Sequence, residues 1–519
     1  MFSLAINEAI SIFKSWTVGG NEWSDQLKTA PPSPTQRLIT RIHGQYYDLT
    51  SFQHPGGPQT IACAQDRDAT EIWESYHQLT RDKAYKVLKG YEMSPAAVEA
   101  MSNKNATDDK RFRDIARYGA STFDWSEGRK GKAFHNDLMK VVTNYFEELR
   151  GDQKHLPLNA FTKAPLARNF FSAFFLAFFW ACAYGMYVHH SWAAMFCAPL
   201  WGWLAASNYW HDALHFALST KWQVNTLAPY LFPFFMSPFM WLHQHTIGHH
   251  VHTNDPLRDP DINAAPQFLR LSAFQRIYPV HAKQKSRLWT FFLWSIATST
   301  LKPLLRDHMS RIEGWYGSCV PLVFETPLRK VRHIAGRVTV LCLMSVWPYL
   351  CIIDGSLYSM FKAHCFAWIP AMTFSVLFVM NAQINHLNEE NEHESSNSED
   401  FFIHQAQTSS SYATDSKLAF VLSGGLNLQI EHHLLPGINH WHLFYMSDSI
   451  RAVCLKHGVV YTKWNNFGEA LEAHLQYSEN LAVAATAPFQ TNKRMEKYIF
   501  AKDTRLSTKL KNRNRSKRE

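Results

Sequence analysis

Three clusters of histidines carry the chemistry that this sequence can perform. They are HDALH at residues 211–215, HTIGHH at residues 245–250 and QIEHH at residues 429–433. In each cluster two imidazoles lie three or four residues apart or side by side, so a helix would project them from one face towards one metal centre. Each cluster also lies close to a long apolar run, where buried histidines without hydrogen-bond partners are costly. The clusters together therefore predict metal binding, in which imidazole is the commonest ligand.

The spacings HxxxH, HxxxHH and QxxHH resemble the motifs of the integral-membrane fatty-acid desaturases, from about Ala160 to Ile450. Gln429, in place of the first histidine of the third motif, is similar to the front-end branch of that family. The resemblance implies one more iron-binding histidine just beyond the last membrane span, where the sequence has His386. The candidate metal ligands are then His211, His215, His245, His249, His250, His386, His432 and His433. Eight ligands are more than one tetrahedral zinc ion can use, and they suit two iron ions.

The activity implied by this resemblance is the insertion of a cis double bond between an existing double bond and the carboxyl end of a polyunsaturated acyl chain. Breaking an aliphatic C–H bond is beyond any acid–base pair here and requires oxygen activated at reduced iron. The substrate would be an acyl chain carried by CoA or by a glycerolipid. Gln429 is the candidate catalytic residue, because its amide can hydrogen-bond or coordinate weakly through its oxygen; the alternative is an ordinary polar helix residue.

A second pair of histidines lies near the N-terminus. His54 begins the sequence HPGG, a turn that a bulky planar group can approach, and His77 follows 77 − 54 = 23 residues later on a helical-looking segment. Two imidazoles from opposite sides would bind haem with no open position, which suits electron transfer. The pattern resembles cytochrome b5, whereas the alternative is a turn histidine and a surface histidine. A haem b domain would pass electrons one at a time from NAD(P)H, through a cytochrome b5 reductase, to the irons.

Two other functions remain open at the level of sequence. A di-iron acyl-lipid or sphingolipid hydroxylase/desaturase shares the first C–H cleavage. The second is a non-enzymatic, haem-linked membrane protein that carries electrons or binds metals, and this function would not explain the three histidine clusters. Within the desaturase interpretation, TND at residues 253–255 with DPD at residues 259–261 is similar to enzymes that act at carbon 5 or 4 rather than 6 or 8.

Further polar residues flank the clusters. We expect His243, His252, His440 and His442 to lie at the surface or to support the ligands, since a ligating imidazole needs a partner on its second nitrogen. The same supporting role is expected for Asp212, Asn254, Asp255, Asp259 and Asp261.

The composition indicates a chain with a soluble part and a membrane part. The 519 residues exceed one ordinary domain. Hydrophobic residues make up 46%, yet the mean hydropathy is only -0.25, so the apolar residues are concentrated in part of the chain. The net charge of +9 is spread over loops and a terminal tail. This distribution argues against a nucleic-acid partner and favours a surface of anionic lipid.

The elements that position the clusters are predicted from apolar runs. Four transmembrane helices are predicted at about residues 166–188, 193–209, 338–353 and 362–380. A shorter run at 227–242, interrupted by prolines, is expected to be re-entrant or interfacial. Basic residues are concentrated between the two hairpins rather than in their turns, so both termini, the haem domain and the three clusters are expected on the cytosolic side. The resemblance implies the endoplasmic reticulum membrane.

The predicted fold is multi-domain, with a small α+β cytochrome b5-like domain followed by an all-α integral membrane domain. The predicted parts are a leader at 1–33, the haem domain at 34–95, a linker and cytosolic helix at 96–160, the desaturase domain at 161–477 and a basic tail at 478–519. Within the desaturase domain, the polar residues 388–416 are expected to form a mobile loop.

Overall fold

The computed structural model describes residues 37–102, 121–232, 236–256, 258–263, 265–275, 277–313, 315–316, 320–322, 327–392 and 399–486. The predicted leader and the predicted tail beyond residue 486 lie outside these residues, as do residues 103–120 of the predicted linker.

In the described residues, the predicted haem domain is built on a short hairpin and three helices, and a fourth helix follows it. Strands β1 (Ile39–Ile42) and β2 (Gln45–Asp48) pair antiparallel, and the two turn residues His43 and Gly44 both have positive φ. Such a turn matches the twist of a two-residue hairpin. The helices are α1 (Pro58–Ala62), α2 (Thr70–Tyr76), α3 (Arg81–Lys89) and α4 (Pro95–Ser102). An apolar core that includes Tyr47, Trp73 and Leu88 joins the helices to the hairpin.

The remainder of the described chain is mostly helical. Its α-helices are α5 (Lys132–Arg150), α6 (Leu166–Tyr187), α7 (Trp192–Ala205), α8 (His211–Leu214), α9 (Trp222–Leu227), α10 (Pro238–Trp241), α11 (Arg287–Ile296), α12 (Asp307–Glu313), α13 (Pro327–Leu341), α14 (Trp347–Ile352), α15 (Leu357–Gln383), α16 (Phe401–Gln407), α17 (Lys417–Ser423), α18 (Gln429–Leu434), α19 (His440–Lys456) and α20 (Phe467–Thr486). Segments wound as π-helices are Ala206–Trp210, Leu242–His249, Ala297–Arg306 and Cys342–Val346. The short strand pairs are β3 (Trp315–Tyr316) with β4 (Val320–Pro321), antiparallel, and β5 (Ser410–Tyr412) with β6 (Thr462–Trp464), parallel. An α+β haem domain followed by a mostly helical domain is therefore confirmed.

Three helices in the described part of the chain are long and apolar enough to cross a membrane: α6, the continuous helix from Ile334 to Ile352, and α15. At about 1.5 Å per residue, the 22 residues of α6 extend about 33 Å, close to the thickness of a hydrocarbon core. These three helices correspond to three of the four predicted spans.

The fourth predicted span, at 193–209, is also helical but is not among these three candidates. It is formed by α7 and the π segment Ala206–Trp210. Its C-terminal part contains Ser207 and Asn208, whose polarity lowers the hydropathy of the helix; both side chains are buried in the protein.

Two stretches differ from the sequence-based expectation. Residues 287–313 lie in the stretch between the two predicted hairpins that is expected, from its many basic residues, to be a cytosolic loop. They are helical instead (α11, a π segment and α12), and the buried Ser375 hydroxyl of α15 donates to the carbonyl of Trp294 in α11 at 2.5 Å. Residues 399–412, expected to be mobile, form α16 and β5 and are largely buried. Two of their polar side chains bond to the backbone around the second histidine cluster: His404 Nε2 donates to the Thr253 carbonyl and Gln405 Nε2 donates to the His250 carbonyl, each at 3.0 Å.

Helix α5 supports the third histidine cluster from outside. Its buried residues Phe134, Leu138, Val142 and Phe146 recur every four positions and form one apolar face. That face shares a core with residues of α16, α18 and α19, including Ile430 and Leu434 beside the cluster. Helix α20, the last one among the described residues, continues to Thr486.

Candidate metal centre and haem site

The eight histidines selected from the sequence are all buried, and their ring nitrogens converge. The ligand atoms lie within 4.8 Å of one another in two groups: His211, His215, His245 and His432 in one, and His249, His386 and His433 in the other. His250 Nε2 lies 3.2 Å from His245 Nε2 and 3.1 Å from His432 Nε2. Two nitrogens that bind the same ion at about 2.1 Å each lie about 3 Å from one another.

Unusual helical winding brings the second cluster together. An α-helix turns about 100° per residue, so His250 would point about 140° away from His245. The segment Leu242–His249 is instead a π-helix, and the His250 amide donates to the His245 carbonyl at 3.0 Å, five residues back. This wider turn places residues five apart on one side. His245, His249 and His250 can therefore all reach the same centre.

The second ring nitrogen of several candidate ligands is held by an acceptor. His249 Nδ1 donates to Asp259 Oδ2 at 2.9 Å, and His386 Nδ1 donates to the Thr408 carbonyl at 3.1 Å. His433 Nδ1 donates to Gln405 Oε1 at 2.8 Å. A proton on Nδ1 leaves the Nε2 lone pair free for a metal. Gln405 and Thr408 could not be selected from the sequence, because they lie in the stretch expected to be a loop.

Asp212 connects the first cluster to distant parts of the chain. It accepts a hydrogen bond from His440 Nδ1 at 2.5 Å and from Asn439 Nδ2 at 2.8 Å, and it lies 3.3 Å from Arg168 Nη2. The His440 ring stacks on His432 with ring centres 4.6 Å apart. His440 is thus buried against the candidate ligands. It lies 228 residues from Asp212, so no local pattern could have indicated this pairing.

The Gln429 side chain lies at the edge of the second group. Its amide nitrogen is 3.0 Å from His386 Nε2, and its Oε1 is buried with no hydrogen-bond partner among the described residues. The Gln429 amide, which stands in place of the first histidine of the third motif, thus lies beside this group of ligands. It lies close enough to contact a ligand or a bound ion.

Burial controls the protonation of the cluster. Burial, with a smaller contribution from neighbouring histidines, lowers the pKa of His211 and His386 to about 3. Burial also places the pKa of His215, His245, His250, His432 and His433 well below the ordinary range. His249 differs: burial lowers its pKa, but the carboxylates of Asp259 and Asp261 outweigh this and raise it. Seven of the eight rings are therefore neutral at pH 7, as metal binding requires.

The histidine cluster fits a pair of metal ions. His215 Nε2 and His433 Nε2 are buried and have no hydrogen-bond partner among the described residues. Buried polar atoms without partners are uncommon and usually mark a ligand or functional role. Eight imidazoles, with few carboxylates pointing inward, form a donor set suited to transition metals rather than to calcium or magnesium.

A largely apolar cavity adjoins the cluster. A cavity of about 140 Å³ is lined by His211, His245, His249 and His386, and also by apolar residues that include Met236, Leu301 and Phe378. A second cavity of about 60 Å³ lies between α6, α7, α13 and α15. The two cavities share Thr298 in their walls. An apolar chain lying in this space would have its reacting carbons beside the histidines.

The second pair of histidines is also brought together. The ring centres of His54 and His77 lie 5.9 Å apart with planes at 82°. His77 Nδ1 donates to the Trp73 carbonyl at 3.0 Å, and the Gly56 amide lies 2.9 Å from His54 Nδ1. Burial lowers the pKa of both rings, that of His54 to about 4. Two facing neutral imidazoles fit the two axial positions of a haem.

Comparison with known families identifies both parts of the chain. Residues 189–465 match the fatty acid desaturase family, and residues 27–96 match the cytochrome b5-like heme/steroid binding domain. The desaturase match covers more than half of the 519 residues. The chain belongs to the fatty acid desaturase family. It is an oxidoreductase that acts on acyl lipids, with an N-terminal cytochrome b5-like domain and an integral membrane part.

The chain is similar to several desaturases along most of its length. It is 26% identical over 458 residues to the probable Delta(5) fatty acid desaturase C of Dictyostelium discoideum, covering 85% of this chain and 91% of the relative. It is 25% identical to the acyl-lipid omega-13 desaturase of Chlamydomonas reinhardtii, covering 87% and 95%. It is 27% identical to the acyl-lipid (8-3)-desaturase of Physcomitrium patens, covering 85% and 88%. No solved structure gives a significant match. The hydroxylase alternative is not favoured, because these relatives are all desaturases.

Proposed function

We propose that this protein is a front-end acyl desaturase that inserts a cis double bond at carbon 5, between an existing double bond and the carboxyl end of a polyunsaturated chain. The convergence of eight buried histidines beside a largely apolar cavity carries this proposal. The position of the new bond is supported by relatives named Delta(5) desaturases and by the TND and DPD sequences beside the second cluster.

The residues that would hold the cofactors are those that converge. His211, His215, His245, His250 and His432 would bind one iron ion, and His249, His386 and His433, with Gln429 beside them, would bind the other. The metal pair would supply the oxygen activation needed to remove two hydrogens from neighbouring carbons. Asp259, Gln405 and the Thr408 carbonyl would accept the Nδ1 hydrogen bonds of their histidines and so keep the Nδ1 protons in place. The apolar walls of the cavity would exclude water.

Electron supply and membrane orientation belong to the same proposal. His54 and His77 would bind haem b, which a cytochrome b5 reductase would reduce with NAD(P)H. Four spans, with α7 as the second, would place the haem domain, the histidine clusters and both termini in the cytosol at the endoplasmic reticulum. The exposed apolar side chains of α6 and α15, such as Phe170 and Phe361, suit contact with lipid.

Product analysis tests the function. Yeast expressing the full chain would be supplied with polyunsaturated acids of 18 and 20 carbons, and the double bonds of the recovered acyl chains would be located by mass spectrometry. The expected product has one additional cis bond at carbon 5, absent from cells expressing His432→Ala. A hydroxylated product, or a bond added only on the methyl side of existing bonds, would overturn the proposal.

A further inference from the structure

The haem domain is seated on the desaturase domain through the residue next to a candidate haem ligand. Tyr76, which precedes His77, places its hydroxyl 2.9 Å from Nδ1 of the candidate metal ligand His215. Its ring meets Phe216 edge-to-face, with ring centres 5.8 Å apart. A Cβ added to Gly437 would lie 3.1 Å from the Tyr76 ring, so the small residue there makes room for it.

Other contacts hold the same face of the haem domain in place. Gln78 Nε2 donates to the Leu434 carbonyl at 2.8 Å, directly after the third histidine cluster. On the His54 side, a Cβ added to Gly57 would lie 2.6 Å from the Trp222 ring, and Gly57 has a φ of 90°. Cys63 and Ile72 pack in one apolar cluster with Met240 and Ile247 of the desaturase domain. Both segments that carry the candidate haem ligands therefore contact the domain that carries the metal ligands.

The Tyr76 hydroxyl supplies a partner that His215 otherwise lacks. His215 Nε2 faces the other candidate ligands and has no hydrogen-bond partner among the described residues. If Nε2 binds a metal, the ring proton lies on Nδ1 and is donated to the Tyr76 oxygen. Such partners fix the orientation of a metal-ligating imidazole. Among the described residues, no other hydrogen bond joins the haem domain to one of the eight candidate ligands.

We propose that Tyr76 couples the two redox centres, as the positioning residue for His215 and as the bridge along which electrons pass from the haem domain to the metal pair. This inference rests on the proposed function. The connection runs from His77 through one peptide link to Tyr76, and across one hydrogen bond to His215. A route through bonds and one short hydrogen bond couples two centres better than a route through open space.

The redox balance requires nothing beyond the reductant already named. Tyr76 lies between donor and acceptor in each one-electron step, in which a ferrous haem is oxidised to ferric haem and one ferric ion held by the histidines is reduced to the ferrous state. Two such steps, with one O2, two protons and the two hydrogens removed from the acyl chain, yield one double bond and two molecules of water. Tyr76 itself is neither oxidised nor deprotonated.

The experiment compares full-length wild-type protein with Tyr76→Phe, which removes only the hydroxyl. Tyr85→Phe is the matched control, because Tyr85 is an exposed tyrosine of the same domain. Gln78→Leu tests docking separately, because it breaks a contact between the domains without touching a candidate ligand. For each purified protein, haem and iron per chain are measured, and the haem spectrum is recorded. The haem is then reduced without oxygen, and its reoxidation is followed after mixing with O2 and a 20-carbon polyunsaturated acyl-CoA.

We expect Tyr76→Phe to retain its haem and an unchanged haem spectrum, but to reoxidise its haem about tenfold to a hundredfold more slowly and to hold less iron. Tyr85→Phe should match the wild type, and Gln78→Leu should show a smaller effect. Wild-type reoxidation and iron content in Tyr76→Phe would overturn the inference, as would an equal effect of Gln78→Leu. A wild-type protein that reoxidises its haem but forms no double bond would overturn the proposed function alone, since the Tyr76 comparison rests on haem oxidation.

Discussion

Four of the eight imidazoles in the histidine cluster, those of His215, His249, His386 and His433, direct one nitrogen towards the centre and the other towards a supporting group. Where the supporting group is Asp259, Gln405, the Thr408 carbonyl or Tyr76, the ring orientation is fixed by a hydrogen bond of 2.8–3.1 Å. The remaining rings pack against neighbouring imidazoles: His250 stacks on His433 with ring centres 4.2 Å apart, and His432 stacks on His440 with ring centres 4.6 Å apart. The loss of one ring should therefore affect metal binding more than folding.

We expect replacement of any one of His215, His249 or His432 by Ala to abolish desaturation while the protein still accumulates in membranes. Each change removes one donor to the metals and leaves the surrounding helices packed. Product formation, iron per chain and membrane abundance would be measured together. His155→Ala, at an exposed position, serves as the control. Near-normal activity in two of the three variants would make the di-iron assignment wrong.

A buried histidine remote from the metal centre should make stability depend on pH. His135 of α5 stacks on Phe402 with ring centres 3.9 Å apart, and burial, the main cause, lowers its pKa from 6.5 to about 4. Between these pH values the unfolded chain binds a proton that the folded chain does not. The stability that His135 contributes is therefore present above pH 6.5 and is lost as the pH falls towards 4, by about 3 kcal/mol in all.

We accordingly expect His135→Gln, which cannot titrate, to lose less stability than the wild type between pH 7 and pH 4.5. Thermal unfolding of the purified protein at several pH values measures this difference. A residual pH dependence is expected, since burial also lowers the pKa of His281 and His474 to about 4. Parallel curves for the wild type and His135→Gln would contradict the prediction.

At the scale of elements, the first span is attached to the metal centre by its single charge. Arg168 of α6 is only 2% exposed; it donates through Nη1 to Asn208 Oδ1 and through Nη2 to the Gly424 carbonyl at 2.8 Å, and it pairs with Asp212. Three separate segments of the chain meet at this side chain. A buried charge without its partner is strongly destabilising.

Arg168→Leu should lower the free energy of unfolding by about 3–5 kcal/mol, because it leaves the Asp212 carboxylate buried without its cation. Adding Asp212→Asn to Arg168→Leu should recover part of the loss, since the amide oxygen can still accept from His440. Thermal unfolding in detergent and abundance in membranes measure both effects. Lys140→Leu removes an exposed charge and should change the free energy of unfolding by less than about 0.5 kcal/mol. An Arg168→Leu protein as stable as Lys140→Leu would exclude this role.

Local patterns predict some elements of this protein and miss others for identifiable reasons. The ligand spacings and three of the spans lie within short windows, so residue type and hydropathy are enough to find them. The helices of 287–313 are missed because a lysine such as Lys302 usually indicates an exposed loop. Lys302 is instead buried, with its ammonium group near Gln244 and Asp307. The π winding that gathers His245, His249 and His250 leaves no recognisable signal in the sequence. Gln405, His440 and Tyr76 meet their partners across 28, 228 and 139 residues, where sequence spacing carries no information.

At the scale of the whole molecule, the parts of the proposed electron route must share one side of the membrane. The contact between Tyr76 and His215 requires the haem domain and the histidine clusters to lie together. An even number of spans satisfies this requirement. Helix α7 and the π segment Ala206–Trp210 would then cross the membrane together, although that segment contains the polar residues Ser207 and Asn208, whose side chains are buried in the protein.

Epitope tags at residues 1, 285 and 519 should all be cytosolic, and tags at residues 189 and 355 should be lumenal. Residue 285 suits a tag, because Lys285 is exposed. Protease digestion of selectively permeabilised cells reports the side of each tag. Protection of the tag at 285 together with digestion of the tag at 1 would exclude the four-span topology and the direct route through Tyr76.

The seating of the haem domain also decides whether one defective chain can rescue another. With Trp222 against Gly57 and Tyr76 against His215, the approach to the metal ligands is occupied by the chain's own domain, even when that domain carries no haem. A haemless His54→Ala chain should therefore resist complementation by free cytochrome b5 or by the intact haem domain of a co-expressed His432→Ala chain. Acyl products from cells that express both variants would reveal this exclusivity, and wild-type levels of product would contradict it. The fused domain then transfers electrons only to the metal centre of its own chain. The rate of electron transfer per chain therefore does not depend on the concentration of the protein in the membrane.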